Sequence, residues 1–132
     1  MISDDMAWKL VEAWHDAVNQ RDDVRLRGLT TPEVSLGGPR GGQGGQDALV
    51  DWVSRSGITM VPLHRLAVGD RFAVVQEARW PGDPEVHQVV TVFAFQNERI
   101  SSIDRFATLE AAREAITPEP DARTTTSPDT TV

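Results

Sequence analysis

Residues 58–107 read ITMVPLHRLAV GD RFAVVQEARW PGDP EVHQVVTVFAFQ NE RISSIDRFA, and this stretch decides the fold. Ile58 to Val68 is a first strand-like run, and Gly69-Asp70 is a tight-turn signal. Arg71 to Trp80 follows, closed by Pro81-Gly82-Asp83-Pro84. Glu85 to Gln96, rich in Val, Thr and Phe, is the clearest strand. Asn97-Glu98 turns the chain, and Arg99 to Ala107 returns. Strand runs joined by such short turns predict an antiparallel meander.

Upstream of the meander the period changes. Ser3 can cap a helix whose positive end suits Asp4 and Asp5. Ala7, Leu10, Val11, Trp14 and Val18 then share one helical face, with His15 at its boundary. Asp22-Asp23 can cap a short second helix carrying Leu26. Residues 31–36 look like a short strand, and Gly37 to Gln46 is too glycine-rich for regular structure. A third helix is predicted from about Asp47 to Ser56, with Leu49, Trp52 and Val53 inward. Downstream of the meander, Thr108 caps a last helix, Leu109 to Ile116, which Pro118 stops. Helices first and a meander afterwards make the class α+β. Residues 117–132 hold three prolines and no aromatic, so they read as a disordered tail behind one domain, 1–116.

Composition excludes several chemistries. The 132 residues contain no cysteine, which removes disulfides, thiolate nucleophiles and cysteine metal sites. The net charge is −7, of which the tail carries −2, and no basic stripe interrupts the acidic balance. Nucleic acid and anionic membranes are therefore not expected partners. With no membrane-length apolar run and an acidic N-terminus, the chain reads as soluble and cytoplasmic. The glycine loop matches neither phosphate-binding pattern, so it reads as a rim with Arg40 available to a ligand. The three histidines, His15, His64 and His87, show no metal-ligand spacing, and neither metal nor cofactor is expected.

Three motifs resemble the SnoaL-like group of small bacterial proteins, within the nuclear-transport-factor-2-like (NTF2-like) superfamily. One is Trp14 to Asp22, ending in Asn19-Gln20-Arg21-Asp22 like the family's "N-x-x-D" step. Another is the glycine loop running into Asp47 to Trp52. The last is Glu98 to Ile103 with Phe106 and Leu109 to Ala112. The resemblance implies an α+β cone, or cystatin-like fold, over about residues 5–116: a strongly curved, mainly antiparallel sheet around the N-terminal helices, with a pocket at the open end. It also implies a homodimer.

Carried over position by position, the resemblance weakens one mechanism. A ketosteroid-isomerase-like site needs a carboxylate base, a phenol donor and a protonated acid. Leu36 or its neighbours stand where the base belongs, Trp14 where the tyrosine belongs, and Thr91 near the acid. The chain has no tyrosine anywhere. An epoxide-hydrolase-like relay finds Arg79 and Asp104 but no second aspartate.

The remaining expectation is a pocket for a small apolar, polyketide- or steroid-like molecule. Its wall is expected from Trp14, Trp52, His64, Thr91 and Phe93. The resemblance turns Glu77 and Arg79 inward, whereas alternation favours the more apolar face of Phe72, Val74, Gln76, Ala78 and Trp80. His87 is the candidate general base, and Asp104 the candidate acid on the last strand. The alternatives are a SnoaL-like isomerase, cyclase or hydrolase using these groups, and a non-catalytic dimerisation module.

Overall fold

The computed structural model describes residues 2–37 and 43–116. Arg40 and the segment 117–132, expected as rim and tail, lie outside the described residues. Helix α1 spans Asp4–Gln20, and Ser3 Oγ accepts the Met6 amide at its start. It ends where Arg21 turns left-handed at φ 55°. Asp22 caps α2, Asp23–Leu29, through the Arg25 amide. Strand β1, Thr30–Gly37, runs one residue further at each end than the sequence predicts.

Gln43–Gly44 forms a short β2 against Ser35 and Leu36, where the sequence predicts irregular chain. Glycine content did not prevent pairing, because the open edge of β1 supplies the partners. Helix α3, Gln46–Ser56, has no side-chain cap. The Gln46 side-chain amide instead donates to the Arg27 and Thr30 carbonyls at 2.9 and 3.1 Å, tying α3 to the α2–β1 junction.

The meander forms as read: β3 Thr59–Val68, β4 Arg71–Arg79, β5 His87–Gln96 and β6 Arg99–Phe106. Strand β5 begins at His87 and not at Glu85, because Asp83 folds the preceding turn by accepting the Glu85 amide. The order is β2-β1-β6-β5-β4-β3, with β1 parallel to β6 and the other pairs antiparallel. Helix α4 spans Leu109–Ile116.

The sheet separates two apolar clusters. On one face Trp14, Val18, Leu49 and Val53 from the helices pack on Val74, Ala78, Phe93 and Ile103. On the other, Ala112 and Leu109 of α4 cover Ala73, Val90, Val92 and Phe106. The first, larger cluster defines the inner face. Asn19 fastens α1 to it: its amide donates to Met60 O and its oxygen accepts Met60 N–H, both at 2.9 Å.

Gly57 ends α3 at φ +65°, and a Cβ there would meet the Pro81 ring at 2.6 Å. Gly69 has a similar φ of +61° in the β3–β4 turn, with open space around it. Gly57→Ala is expected to cost about 1–3 kcal/mol, from left-handed strain plus the clash. Gly69→Ala bears the strain alone and costs less. Urea denaturation of both variants checks the order, and equal losses would show that the Pro81 contact carries no weight.

Candidate functional site

The inner face is set by register. Strand β4 points Phe72, Val74, Gln76 and Ala78 inward, with Trp80 following in the same alternation. Phe72, Val74, Gln76 and Ala78 stand opposite Phe93, Thr91, Val89 and His87 of β5. Thr91 in turn stands opposite Arg105 of β6, and Phe93 opposite Ile103. Trp14, Thr91 and Phe93 are thus placed as expected, and all are buried. The Trp14 and Phe93 rings meet edge-on at 5.1 Å.

Glu77 and Arg79 do not face inward. They alternate with Ala73 and Val75 on the face that α4 covers, and Glu77 stands opposite Val61 and Gln88. The placement implied by the resemblance gives way to the apolar alternation, because the inner positions of β4 pack against α1 and α3. Asp104 is also on the outer face. It stands opposite Val92 and beside Gly37, where a Cβ would lie 2.1 Å from its Oδ1. Partial burial raises its pKa, and the charge of Arg71 opposes that rise. His64 is exposed opposite Val75, at the bulge of β3. It lines a cleft of about 260 Å³ between α1 and β3, together with Trp8, Val11, His15 and Pro62.

The buried polar chemistry joins the expected Thr91 to two residues not assigned to the pocket in the sequence, Gln76 and His15. His15, expected at a boundary, is 3% exposed. Its Nδ1 lies 2.7 Å from Val11 O, and a carbonyl can only accept, so Nδ1 carries the proton. Its Nε2, 2.8 Å from Gln76 Nε2, then accepts the Gln76 N–H. Gln76 Oε1 accepts the Thr91 hydroxyl at 2.7 Å. The chain Thr91–Gln76–His15–Val11 therefore runs in one direction and requires a neutral imidazole. Burial lowers the His15 pKa, more strongly than the Val11 bond and the Asp16 and Glu12 charges raise it. The available signal was Gln76 itself, the one polar residue in the Phe72–Trp80 alternation.

A second group gathers where β4 ends and β5 begins. His87 Nε2 is 2.8 Å from Asp83 Oδ2, and its ring lies 5.5 Å from Trp80. The Glu85 amide and then His87 hold the exposed Asp83 below its ordinary pKa. The Arg105 guanidinium lies 5.6 Å from the Trp52 ring and 6.0 Å from Trp80. Burial lowers its pKa. Two buried donors of the inner face, Trp14 Nε1 and Arg105 Nη1, have no hydrogen-bond partner. No group of three or more His, Asp or Glu suited to a metal occurs among the described residues. Among them, too, no helix is long and apolar enough to cross a membrane.

The family model of the SnoaL-like domain matches residues 11–103, and the chain belongs to that family. No curated protein matches its sequence. Solved structures share the fold at low identity. A cystatin-like protein of unknown function from Methylobium petroleophilum is 13% identical, with a TM-score of 0.73 over 89% of this chain and 80% of that one. A putative polyketide cyclase from Sinorhizobium meliloti is 17% identical, with a TM-score of 0.67 over 74% and 94%. A protein of ketosteroid-isomerase-like fold from Catenulispora acidiphila, in complex with trimethylamine, is 18% identical, with a TM-score of 0.61 over 76% and 85%.

The neutral His15 sets a pH dependence. Its folded pKa lies below the ordinary 6.5, so the unfolded chain takes up a proton first as pH falls. The stability tied to neutral His15 is complete above about pH 6.5 and declines below it, by at most about 1.4 kcal/mol per pH unit. His15→Gln, which can still accept from Gln76, is expected to flatten the slope between pH 7 and 5.5. Urea titrations at several pH values measure it, and equal slopes in the two proteins would refute the assignment.

Proposed function

We propose that the protein binds a small, largely apolar molecule, of polyketide or steroid type, against the inner face of its sheet, and that it does so without a complete catalytic constellation. The carrying observation is Trp14 Nε1, a donor on a fully buried side chain with no partner. An unsatisfied buried N–H costs about 1–3 kcal/mol, which a ligand acceptor would recover. The aromatic surroundings, Phe93 and the half-buried Trp52 and Trp80, suit an apolar body. The absence of an inward carboxylate among the described residues of β4 and β6 supports binding over proton abstraction. The fold is shared with a putative polyketide cyclase and with a protein solved in complex with trimethylamine, which supports a small-molecule reading.

A second reading, a SnoaL-like enzyme, is favoured by the His87–Asp83 pair, in which a carboxylate orients an imidazole beside Trp80. In either reading the protein is proposed to act in the cytoplasm as a homodimer, which light scattering at micromolar concentration tests.

A panel of polyketides, steroids and epoxides separates the two readings. A ligand at about one hundred times its Kd stabilises the fold by about 2.7 kcal/mol, a melting shift of several degrees. Binding without turnover is the expected result. Turnover that is lost in His87→Ala and kept in Asp104→Asn would establish the enzyme instead. No shift with any compound, together with an empty inner face in crystals of the purified protein, would end both readings.

A further inference from the structure

We propose that the ligand site selects an anionic oxygen, a carboxylate or an ionised enol or phenol, and that Arg105 between Trp52 and Trp80 is the group that takes it. The inference rests on the binding reading above and adds the ligand's charge.

Register turns Arg105 inward, because it stands opposite Thr91, a buried member of the Gln76 network. Its neighbour Asp104 faces the other side, so these two charges cannot neutralise each other across the sheet. The ring of Trp52 arrives from α3 and that of Trp80 from the end of β4, one at 5.6 Å and the other at 6.0 Å from the guanidinium carbon. Such faces hold a guanidinium by cation–π attraction and keep water from it, but they accept no hydrogen bond in its plane. Nη1 is buried and has no partner among the described residues. Asp83, at the end of β4 beyond Trp80, is engaged by the Glu85 amide and by His87.

Arg105 is half-buried, and its buried Nη1 is a charged donor whose desolvation an anion would offset. Burial acts against the charge of Arg105, as the downward shift of its pKa reflects. The second spare donor of this face, Trp14 Nε1, also seeks an acceptor. Both unsatisfied groups of the inner face are donors, so an oxygen-rich, negatively charged ligand end fits and an ammonium does not.

Matched acid and amide probes test the proposal: benzoate, 2-naphthoate and 2-anthroate against their primary amides, titrated by calorimetry at low salt. The expected result is tighter binding of the acid in at least one pair, by about tenfold or more. Arg105→Gln is expected to bring the acid down to its amide while leaving the amide unchanged. Arg105→Lys, which keeps the charge without the planar fork, should restore part of the preference. Equal affinities of acid and amide for the natural protein would overturn the anion proposal and leave the apolar binding site standing. A preference that survives Arg105→Gln would overturn it too. Should Arg105→Gln not fold, the acid-to-amide ratio of the natural protein and of Arg105→Lys decides. Failure of all six probes to bind would overturn both this proposal and the reading beneath it.

Discussion

The two-point clamp between Asn19 and Met60 is the constraint on which the rest of the inner face depends. A strand edge offers one N–H and one C=O at such a position, and the Asn19 amide satisfies both. Each bond contributes about 0.5–1.5 kcal/mol net, which is modest. Its importance is geometric. It fixes both the rotation and the height of α1 over the sheet. His15, one turn earlier, is then set above Gln76, and Trp14 is set edge-on to Phe93. Three residues after Asn19, Asp22 caps α2. The "N-x-x-D" step is therefore two devices in one turn, a clamp on the sheet and a start signal for the next helix.

Once α1 is fixed, a period of two decides everything about charge. On β4 and β6, moving one residue along the strand exchanges the faces. Arg105 and Asp104 are neighbours in sequence and sit on opposite sides of the sheet, as do Gln76 and Glu77. The inner face of these strands takes the amide and the guanidinium. The outer face takes both carboxylates, near α4 and the Arg71 charge. Arg71 and Arg79 share that outer face, so the alternation keeps both carboxylates off the inner face and leaves Arg105 there with no acid from these two strands.

The sequence made the elements legible because their boundaries are local chemistry. Ser3, Asp22 and the Gly69-Asp70 and Asn97-Glu98 turns act within a few residues, and all do what their types predict. Facing was legible where apolar side chains dominate, as in the Phe72–Ala78 row. The site was less legible because its polar members owe their environment to distant chain. Nothing within one turn of His15 announces Gln76, which lies 61 residues away. The resemblance misplaced Glu77 and Arg79 because it supplied a family's pocket face to a strand whose own alternation pointed the other way. The packing of Phe72 and Val74 outweighs that analogy, since burying a side chain of that size stabilises by about 1.5–3 kcal/mol.

The missing tyrosine bears on the chemistry that this interior can support. A phenol can donate a hydrogen bond and also give up its proton, whereas the indole N–H only donates. With Trp14 at that place, the deep end of the inner face can stabilise an oxygen but cannot protonate it. His15 is equally unsuited, because both its nitrogens are committed, one to Val11 and one to Gln76. The titratable imidazole outside that network on this face is His87, partly exposed at the end of β5 and paired with Asp83. Indole where the resemblance puts the phenol, and an imidazole with both nitrogens committed, leave these two buried positions with hydrogen-bonding roles alone.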